Sequence, residues 1–407
     1  MTSDPLAQLR DLLLVSDSGT WGTEGDLLSG SPVLRSTNIS DYRLDVSDVA
    51  WRSIPLGHRS SKRLEPGDIL VTASSGSADH IGKCCLFEQP QDGHPYYFSN
   101  FTLRLRADPR KAEPRWLYHW LKSDRGRAAL TAMNSTTSGL RNLNKTLYLS
   151  QKLPLPPLAE QRRIAAMLDK ADAVRRKRRE SLRLLDEFLR SAFLEMFGDP
   201  VRNEKGWQVV TLGELCNVQL GKMLSEKARA GSNPVPYLRN ANVQWRRIDL
   251  SSVLEMDFTE AELARFDLHP GDLLVCEGGE VGRCAIWEGQ LPRCSFQKAL
   301  HRVRPKDQRL RTEYLQECLF LLSERGALVE STSQATIAHL TKVRLEGLPL
   351  PVPPGSLQQQ FVELYECAKQ ASRRQAVRFD ELDSLFDSLA QRAFSTANQQ
   401  SPPKPAA

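Results

Sequence analysis

Apolar residues recur along one stretch of the chain at Ile164, Leu168, Ala171, Leu182, Leu185, Leu189 and Ala192. Along a later stretch they recur at Phe361, Tyr365, Ala368, Phe379, Leu382, Phe386, Leu389 and Ala393. Steps that alternate between three and four residues trace the seam of a coiled coil, because that spacing keeps one face of a helix toward a partner helix. Polar residues interrupt both seams midway, Arg175 and Arg178 in the first, Ser372 and Gln375 in the second. Two helices running in opposite directions would bring these polar middles together, so the pattern predicts an antiparallel pair within one chain. Proline suits the first turn of a helix and breaks the interior, so Pro156-Pro157 and Pro353-Pro354 mark the starts. At ~1.5 Å per residue, a helix of about 35 residues is a spacer of roughly 50 Å.

Elsewhere the periods are shorter. "GDILVT" and "GDLLVC" follow Pro-Gly turns with the Ile, Leu and Val of buried strands. "NFTLRLRA" and "KALHRVRP" alternate apolar with basic residues, as strands with one wet face do. "PRWLYHWLKSDRGRAALTAM" and "RTEYLQECLFLLSERGALVES" carry helical spacing. These segments come in matched pairs, about half a chain apart and in the same order. "PVLRSTNI" (Pro32–Ile39) matches "PYLRNANV" (Pro236–Val243), "EPGDILV" matches "HPGDLLV", "IGKC" matches "VGRC", and "LPLP" recurs before each long helix. The chain is therefore a duplication. The expected fold is α+β: two similar mixed α/β domains separated by an antiparallel pair of long coiled-coil helices, with a pseudo-twofold relation. The expected boundaries are 1–152 for the first domain, 153–197 for linker and helix, 198–346 for the second domain, 347–396 for the second linker and helix, and a disordered proline-rich tail at 397–407.

Composition narrows the class. With 407 residues, 40% hydrophobic and 26% charged, the chain reads as globular, with no apolar run of membrane-spanning length. Its start, "MTSDPLAQLRDLLLVSDSG", lacks the basic lead of a secretory signal, so a cytoplasmic location is expected. The eight cysteines form no C-x-x-C pair and the seven histidines show no ligand spacing, so buried reduced thiols and no metal site are expected. The net charge of +6 leans toward an anionic partner. The sharpest basic cluster is "RRKRR", Arg175 to Arg179. Five consecutive residues exceed one helical turn, so at least one points into the seam or a partner. Solvation and contact with DNA phosphates or a partner subunit both remain open for it.

Catalytic motifs are missing. "GSADHIGKC" has five residues between its glycines and Cys84 where a phosphate loop needs Ser or Thr; its counterpart "GGEVGRC" replaces the lysine with Arg283. Both read as turns between strands. "SNPVPY" is interrupted by Val235 relative to the Asn-Pro-Pro-Tyr loop of adenine methyltransferases and reads as a strand entry. No G-x-S-x-G, H-E-x-x-H or dinucleotide fingerprint occurs, so no covalent chemistry is expected of this chain. What remains are loop residues of the types that read base edges and grip phosphates. In the first domain these are Trp21, Arg35, Asn38, Ser75, Lys83, Asn100, Thr137, Arg141 and Asn142. In the second they are Lys222, Arg239, Asn240, Asn242, Arg283, Gln297, Lys298, Gln334 and Thr336.

The stretch "LPLPPLAEQRRIAAMLDKADAVRRKRRESLRLLDEFLRSAFLEMFGDP" resembles the central conserved region of specificity (S) subunits of type I restriction–modification systems. "PVLRSTNI", "EPGDIL" and the Ser16–Gly22 segment are similar to those in that family's target recognition domains. The resemblance implies that each domain reads one half of a bipartite, asymmetric site in double-stranded DNA while the helices set the unread spacer. It implies two methylation (M) subunits that bind S-adenosylmethionine and methylate adenine N6, and, unless the complex only methylates, restriction (R) subunits that use ATP and Mg, with none of these cofactors held by this chain. Gln161, Arg162 and Gln358 are then expected to contribute to subunit docking. The second copy departs from the first, with "PPGSLQQQF" in place of "PPLAEQRRI". A two-headed coiled-coil scaffold that binds proteins and no DNA is the other reading; it predicts binding that salt barely affects.

Overall fold

The computed structural model describes residues 5–131, 141–224, 234–330 and 339–394. The first head contains strands β1 (Leu13–Ser18), β2 (Thr23–Glu24), β3 (Ser31–Leu34), β4 (Ala50–Ser53), β5 (Ile69–Thr72), β6 (Cys84–Leu86), β7 (Tyr97–Phe98) and β8 (Thr102–Ala107). They form two four-stranded sheets, ordered β6-β5-β8-β1 and β7-β3-β4-β2. The second head contains β9 (Cys216–Leu220), β10 (Pro234–Leu238), β11 (Leu254–Asp257), β12 (Leu273–Cys276), β13 (Cys284–Ile286), β14 (Ser295–Phe296) and β15 (Leu300–Pro305). Its sheets run β13-β12-β15-β9 and β11-β10-β14. Each of these strands has a counterpart in the first head. Even the parallel pairing of β7 on β3 recurs, as β14 on β10. The runs "ILVT" and "LLVC" are buried at every position, as strands covered on both faces must be.

Each head is followed by helices that the sequence spacing anticipated, but each is broken once. In the first, α1 (Pro114–Lys122) gives way to α2 (Asp124–Thr131) at Ser123, whose N–H and hydroxyl bond back onto the last turn of α1. The two long helices are α3 (Leu158–Phe197) and α6 (Gly355–Phe394), with α4 (Thr312–Glu324) and α5 (Ala327–Glu330) following the second head. The proline linkers are strands: Lys152–Pro154 pairs with Leu6–Gln8, and Pro349–Val352 pairs with Gln208–Thr211. Each linker is thus tied to the start of its own head before the helix begins.

The chain packs as two units, and their limits differ from the expected boundaries. One runs up to Arg178 and takes in the helix end from Arg378; the other runs from Arg179 to Val377. The cut falls inside both long helices because each half-helix contributes its apolar face to one head. In the second unit Phe193, Phe197, Tyr314 and Phe361 form an aromatic cluster, with the Phe193 and Tyr314 rings stacked 5.3 Å apart and Phe193 edge-on to Phe361. Farther along, the Gln375 amide donates to Ser181 Oγ at 3.2 Å. Phe361 beside Phe193 and Gln375 beside Ser181 can hold together only if the helices run antiparallel, as the seams predicted. In the first unit Ile164, Leu168 and Phe394 share the core with Trp116 of α1, and Arg125 donates to the carbonyl of Phe394 at 2.6 Å, closing the helix end. The side chains of Phe379, Leu382, Phe386, Leu389 and Ala393, and the whole tail, lie outside the described residues. Within "RRKRR", Arg175 and Arg178 are half-buried while their neighbours are exposed, as a helix turn requires.

Among the described residues no helix is long and apolar enough to cross a membrane. Seven cysteines are buried and Cys367 is exposed, all as free thiols. Burial pushes the Cys276 thiol up to about 11 and the Cys84 thiol up to about 12, which keeps both protonated.

Candidate nucleic-acid interface

The repeated motifs turn out to build the frame that carries the candidate residues. In "RSTN" and "RNAN", the Asn38 and Asn242 side chains are buried. Each accepts its own loop's arginine N–H, Arg35 at 2.8 Å and Arg239 at 3.1 Å. Each also donates to a carbonyl seven residues on, Asp45 and Asp249, both at 2.8 Å. Placing Asn38 and Asn242 at the DNA is therefore corrected: both side chains are buried and their amides close a turn. The guanidinium groups of Arg35 and Arg239 likewise donate into their own loops, to Asp48 and Ser252. The aspartate of each Pro-Gly-Asp motif, which the sequence reading passed over, is a second frame element. Asp68 and Asp272 are buried, accept the N–H of Glu65 and His269, and pair with Arg106 and Arg304 on β8 and β15. Alternating basic residues on those strands had looked like a wet face. Arg104, Arg106 and Arg304 are instead the cationic halves of partly buried pairs, and Arg302 donates to the Asp267 carbonyl.

"IGKC" and "VGRC" are turns between strands, as expected. Gly82 and Gly282 take φ of +75° and +83°, and a Cβ on either would stand 2.2 Å from Cδ1 of Leu130 or Leu328. Lys83 and Arg283 sit at matching points, each giving its carbonyl to the N–H of Thr72 or Cys276 at 2.8 Å.

The candidates that meet do so around one edge in each head. In the first, Arg141 pairs with Ser75 and Asn142 with Ser74 as a two-residue antiparallel ladder. The N–H groups of Ala73 and Ser74 donate to the Phe101 carbonyl at 2.9 and 3.1 Å, and Leu143 N–H donates to Ala73 at 2.8 Å. Ser75, Asn100, Arg141 and Asn142 therefore share this edge, with Asn100 and Asn142 exposed. Phe101, 50% exposed beside them, was missed because it reads as an ordinary strand residue. Trp21 lies apart in a small cluster with Val33, Ile54 and Tyr97, under the Arg52 guanidinium at 4.3 Å. Thr137 lies outside the described residues.

In the second head Glu277 N–H donates to Ala299 at 2.9 Å and Leu340 N–H to Glu277 at 2.7 Å, the same two bonds that Ala73 and Leu143 make. Around them, Asn240 donates to the Gly278 carbonyl at 3.0 Å and Arg283 donates to the Asn240 carbonyl at 2.9 Å. Lys222 pairs with Gln297, and Lys298 N–H donates to the Lys222 carbonyl at 2.7 Å. Lys298 is exposed, and its ammonium has no partner among the described residues. Lys222 is corrected: its ammonium is bound to the Asp257 carbonyl at 2.6 Å and Glu262 Oε2 at 2.7 Å, and that bond holds the Glu262 carboxyl below its usual range. Its backbone also occupies the place of Thr20, not Trp21, since both donate to the carbonyl of the last phenylalanine of β7 or β14. Gln334 and Thr336 lie outside the described residues. The matching bonds of Leu143 and Leu340 instead put His339 where the first head has Asn142. His339 is exposed and lies against Gly278. It escaped the sequence reading because "AHLTKV" repeats only one leucine and one lysine of "RNLNKT".

The docking candidates divide. Gln161 and Gln358 are buried with every amide atom used inside the chain, to Glu113, Lys111 and Pro156 in one case and to Arg311, Arg309 and Pro353 in the other. The expectation that they face a partner subunit is corrected; they pin each long helix to its head. Arg162 is exposed, 3.7 Å from Glu113. Among the described residues no group of His, Cys, Asp and Glu is arranged to hold a metal ion.

The fold is a duplicated α+β arrangement with one polar edge per head, which exposes Asn100 and Asn142 in the first and Lys298 and His339 in the second. Residues 31–183 and 204–365 both match the family model for the type I restriction modification DNA specificity domain, and the chain belongs to that family. It is 24% identical over 366 residues to a protein named as the type I restriction enzyme MjaX specificity subunit of Methanocaldococcus jannaschii, covering 85% of this chain and 82% of that one. It is 26% identical over 254 residues to the EcoKI specificity subunit of Escherichia coli K12, covering 60% of this chain and 53% of that one. Among solved structures, the S subunit of the type I restriction–modification system from M. genitalium superposes with a TM-score of 0.62 at 14% identity, over 97% of this chain and 96% of that one. A chain from work on assembly and conformational transition of the type I R-M system gives 0.52 at 20% identity, over 97% and 98%.

Proposed function

We propose that this chain is the non-catalytic specificity subunit of a type I restriction–modification complex and reads a bipartite, asymmetric DNA site, one half per head. The observation that carries this is the pair of matched edges. The frame bonds of Ala73 and Glu277 are the same, while the side chains set on them differ: Asn100 and Asn142 in one head, Lys298 and His339 in the other. A shared frame with unlike tips suits two different half-sites, because the tips decide which base edges are satisfied.

In this reading α3 and α6, which run from one unit into the other, set the unread spacer. Two methylation subunits dock on the assembly, bring S-adenosylmethionine and methylate adenine N6 after flipping the base from the duplex. Restriction subunits, with ATP and Mg, add cleavage. Leu184 and Phe188, one turn apart on α3 and about half exposed, replace Gln161 and Gln358 as the residues expected to dock a partner. The test is binding of the complex assembled with its methylation subunit to duplex DNA across a salt series. A steep loss of affinity with salt supports phosphate contact, whereas an intact complex that binds no duplex DNA even at low salt supports a protein scaffold.

A further inference from the structure

The second head meets its helices in an uneven way. On one side the aromatic cluster of Phe193, Phe197, Tyr314 and Phe361 is tightly packed. On the other side a cavity of about 330 Å³ opens between Leu185 and Leu189 of α3, Ile248 and Ile286 of the head, and Tyr365 and Ala368 of α6. Apolar packing is thinner on this open side, where Gln316 also donates to the Tyr365 hydroxyl at 2.8 Å, and unfilled space resists tilting less than close packing does. The rim is closed by charge. Glu288, just after β13, binds Lys369 of α6 at 2.7 Å and also Arg373, one turn farther on. Across the cavity Arg246 is held by the buried Glu317 at 2.5 Å and reaches Asp186 of α3 at 3.4 Å.

Lys369 and Arg373 lie eight and twelve residues beyond Phe361, about 12–18 Å along the helix from the aromatic cluster. A bond at that distance resists tilting about the cluster far better than one beside it. The first head makes the link indirectly: Glu88 stands where the second head has Glu288, but it pairs with Arg115 of α1, which in turn pairs with Asp169 of α3 at 3.3 Å.

We infer that Glu288, clamped by Lys369 and Arg373, is a positioning residue that fixes the angle of the second head on its helices and so the length of gap accepted in a bipartite site. The inference rests on the DNA-reading proposal above. A base pair adds ~3.4 Å to the distance between half-sites, so a modest tilt of the head changes which gap fits.

The experiment uses the complex assembled with its methylation subunit and duplexes carrying both half-sites, with the gap lengthened or shortened by single base pairs. The unmodified complex prefers one gap. Glu288→Lys lowers that preference by about two- to fivefold, the effect of losing a partly exposed ion pair, while the bases read in each half stay the same. Combining it with Lys369→Glu and Arg373→Glu restores the preference. A Glu288→Lys complex that keeps the original gap preference overturns the inference, whatever happens to its unfolding temperature. An unmodified complex that reads no gapped site overturns the DNA-reading proposal, and this inference with it.

Discussion

Gln358 accepts the backbone N–H of Arg311 at 2.8 Å, and its amide donates to the carbonyls of Arg309 and Pro353, both at 2.9 Å. Gln161 makes the corresponding three bonds in the first unit, accepting from Glu113 at 2.8 Å. One buried glutamine per unit therefore joins the segment entering α1 or α4, the proline linker and the first turn of a long helix.

Removing either side chain strands three backbone groups in a dry site. Gln358→Ala and Gln161→Ala are each expected to cost about 2–3 kcal/mol, since the cost of an unsatisfied buried group exceeds the net worth of the bond. Chemical denaturation checks this. An unchanged midpoint together with weakened subunit assembly would return these residues to a docking role.

Gly82 and Gly282 combine a left-handed backbone with a close leucine, so alanine at either is strained twice over. Gly82→Ala and Gly282→Ala are expected to lose about 1–3 kcal/mol. Nucleotide binding by the isolated chain, abolished by these changes, is the result that would revive the phosphate-loop reading.

His301 is buried in the second head, and its Nε2–H donates to the Leu340 carbonyl at 2.8 Å, next to His339. Burial pulls its pKa below the usual histidine value, against the Leu340 bond and the nearby Glu277, which raise it; Lys342 adds to the lowering and Glu346 opposes it. The unfolded chain therefore takes up a proton first as pH falls. The stability contributed by the neutral ring is complete above about pH 6.5 and declines from there toward the lower folded pKa. Unfolding midpoints measured from about pH 7.5 to 5.5 should show a shallower decline for His301→Gln, which keeps a donor but cannot titrate. Identical slopes would contradict the assignment.

Lys222 and Lys298 are backbone neighbours with opposite fates, one ammonium bound inside the head and the other exposed. Lys298→Ala should lower DNA affinity and reduce the salt slope by about one, leaving the unfolding midpoint unchanged. Lys222→Ala should lower the midpoint, with a loss of stability of about 1–2 kcal/mol, because Glu262 and the Asp257 carbonyl lose their partner. Exchange of these two outcomes would show that the edge has been assigned to the wrong lysine.

The architecture was legible because its signals are local and periodic. The seam of α3, the described seam residues Phe361, Tyr365 and Ala368 of α6, the buried strands "ILVT" and "LLVC" and the ordered repeats all recur in the fold. Polar residues were harder, because repetition marks a frame as readily as a site. Asn38, Asn242, Gln161 and Gln358 recur since both heads need the same turns and anchors. A chemical reading of side-chain type could not tell those uses from base reading. His339 and Phe101 failed in the opposite direction: the tips that differ between heads leave no repeat to find. Only the shared bonds of Leu143 and Leu340 place Asn142 and His339 at equivalent points.

The central claim is that two unlike edges on a common frame read two unlike half-sites. Its most direct test is to co-express the chain with its methylation subunit in a host free of DNA methylation and map modified adenines by single-molecule sequencing. The account predicts a gapped, asymmetric motif in which Asn100→Ala with Asn142→Ala alters one half only, and Lys298→Ala with His339→Ala alters the other half only. A stable, cofactor-bound complex that modifies no such motif, or variants that change both halves alike, would contradict it.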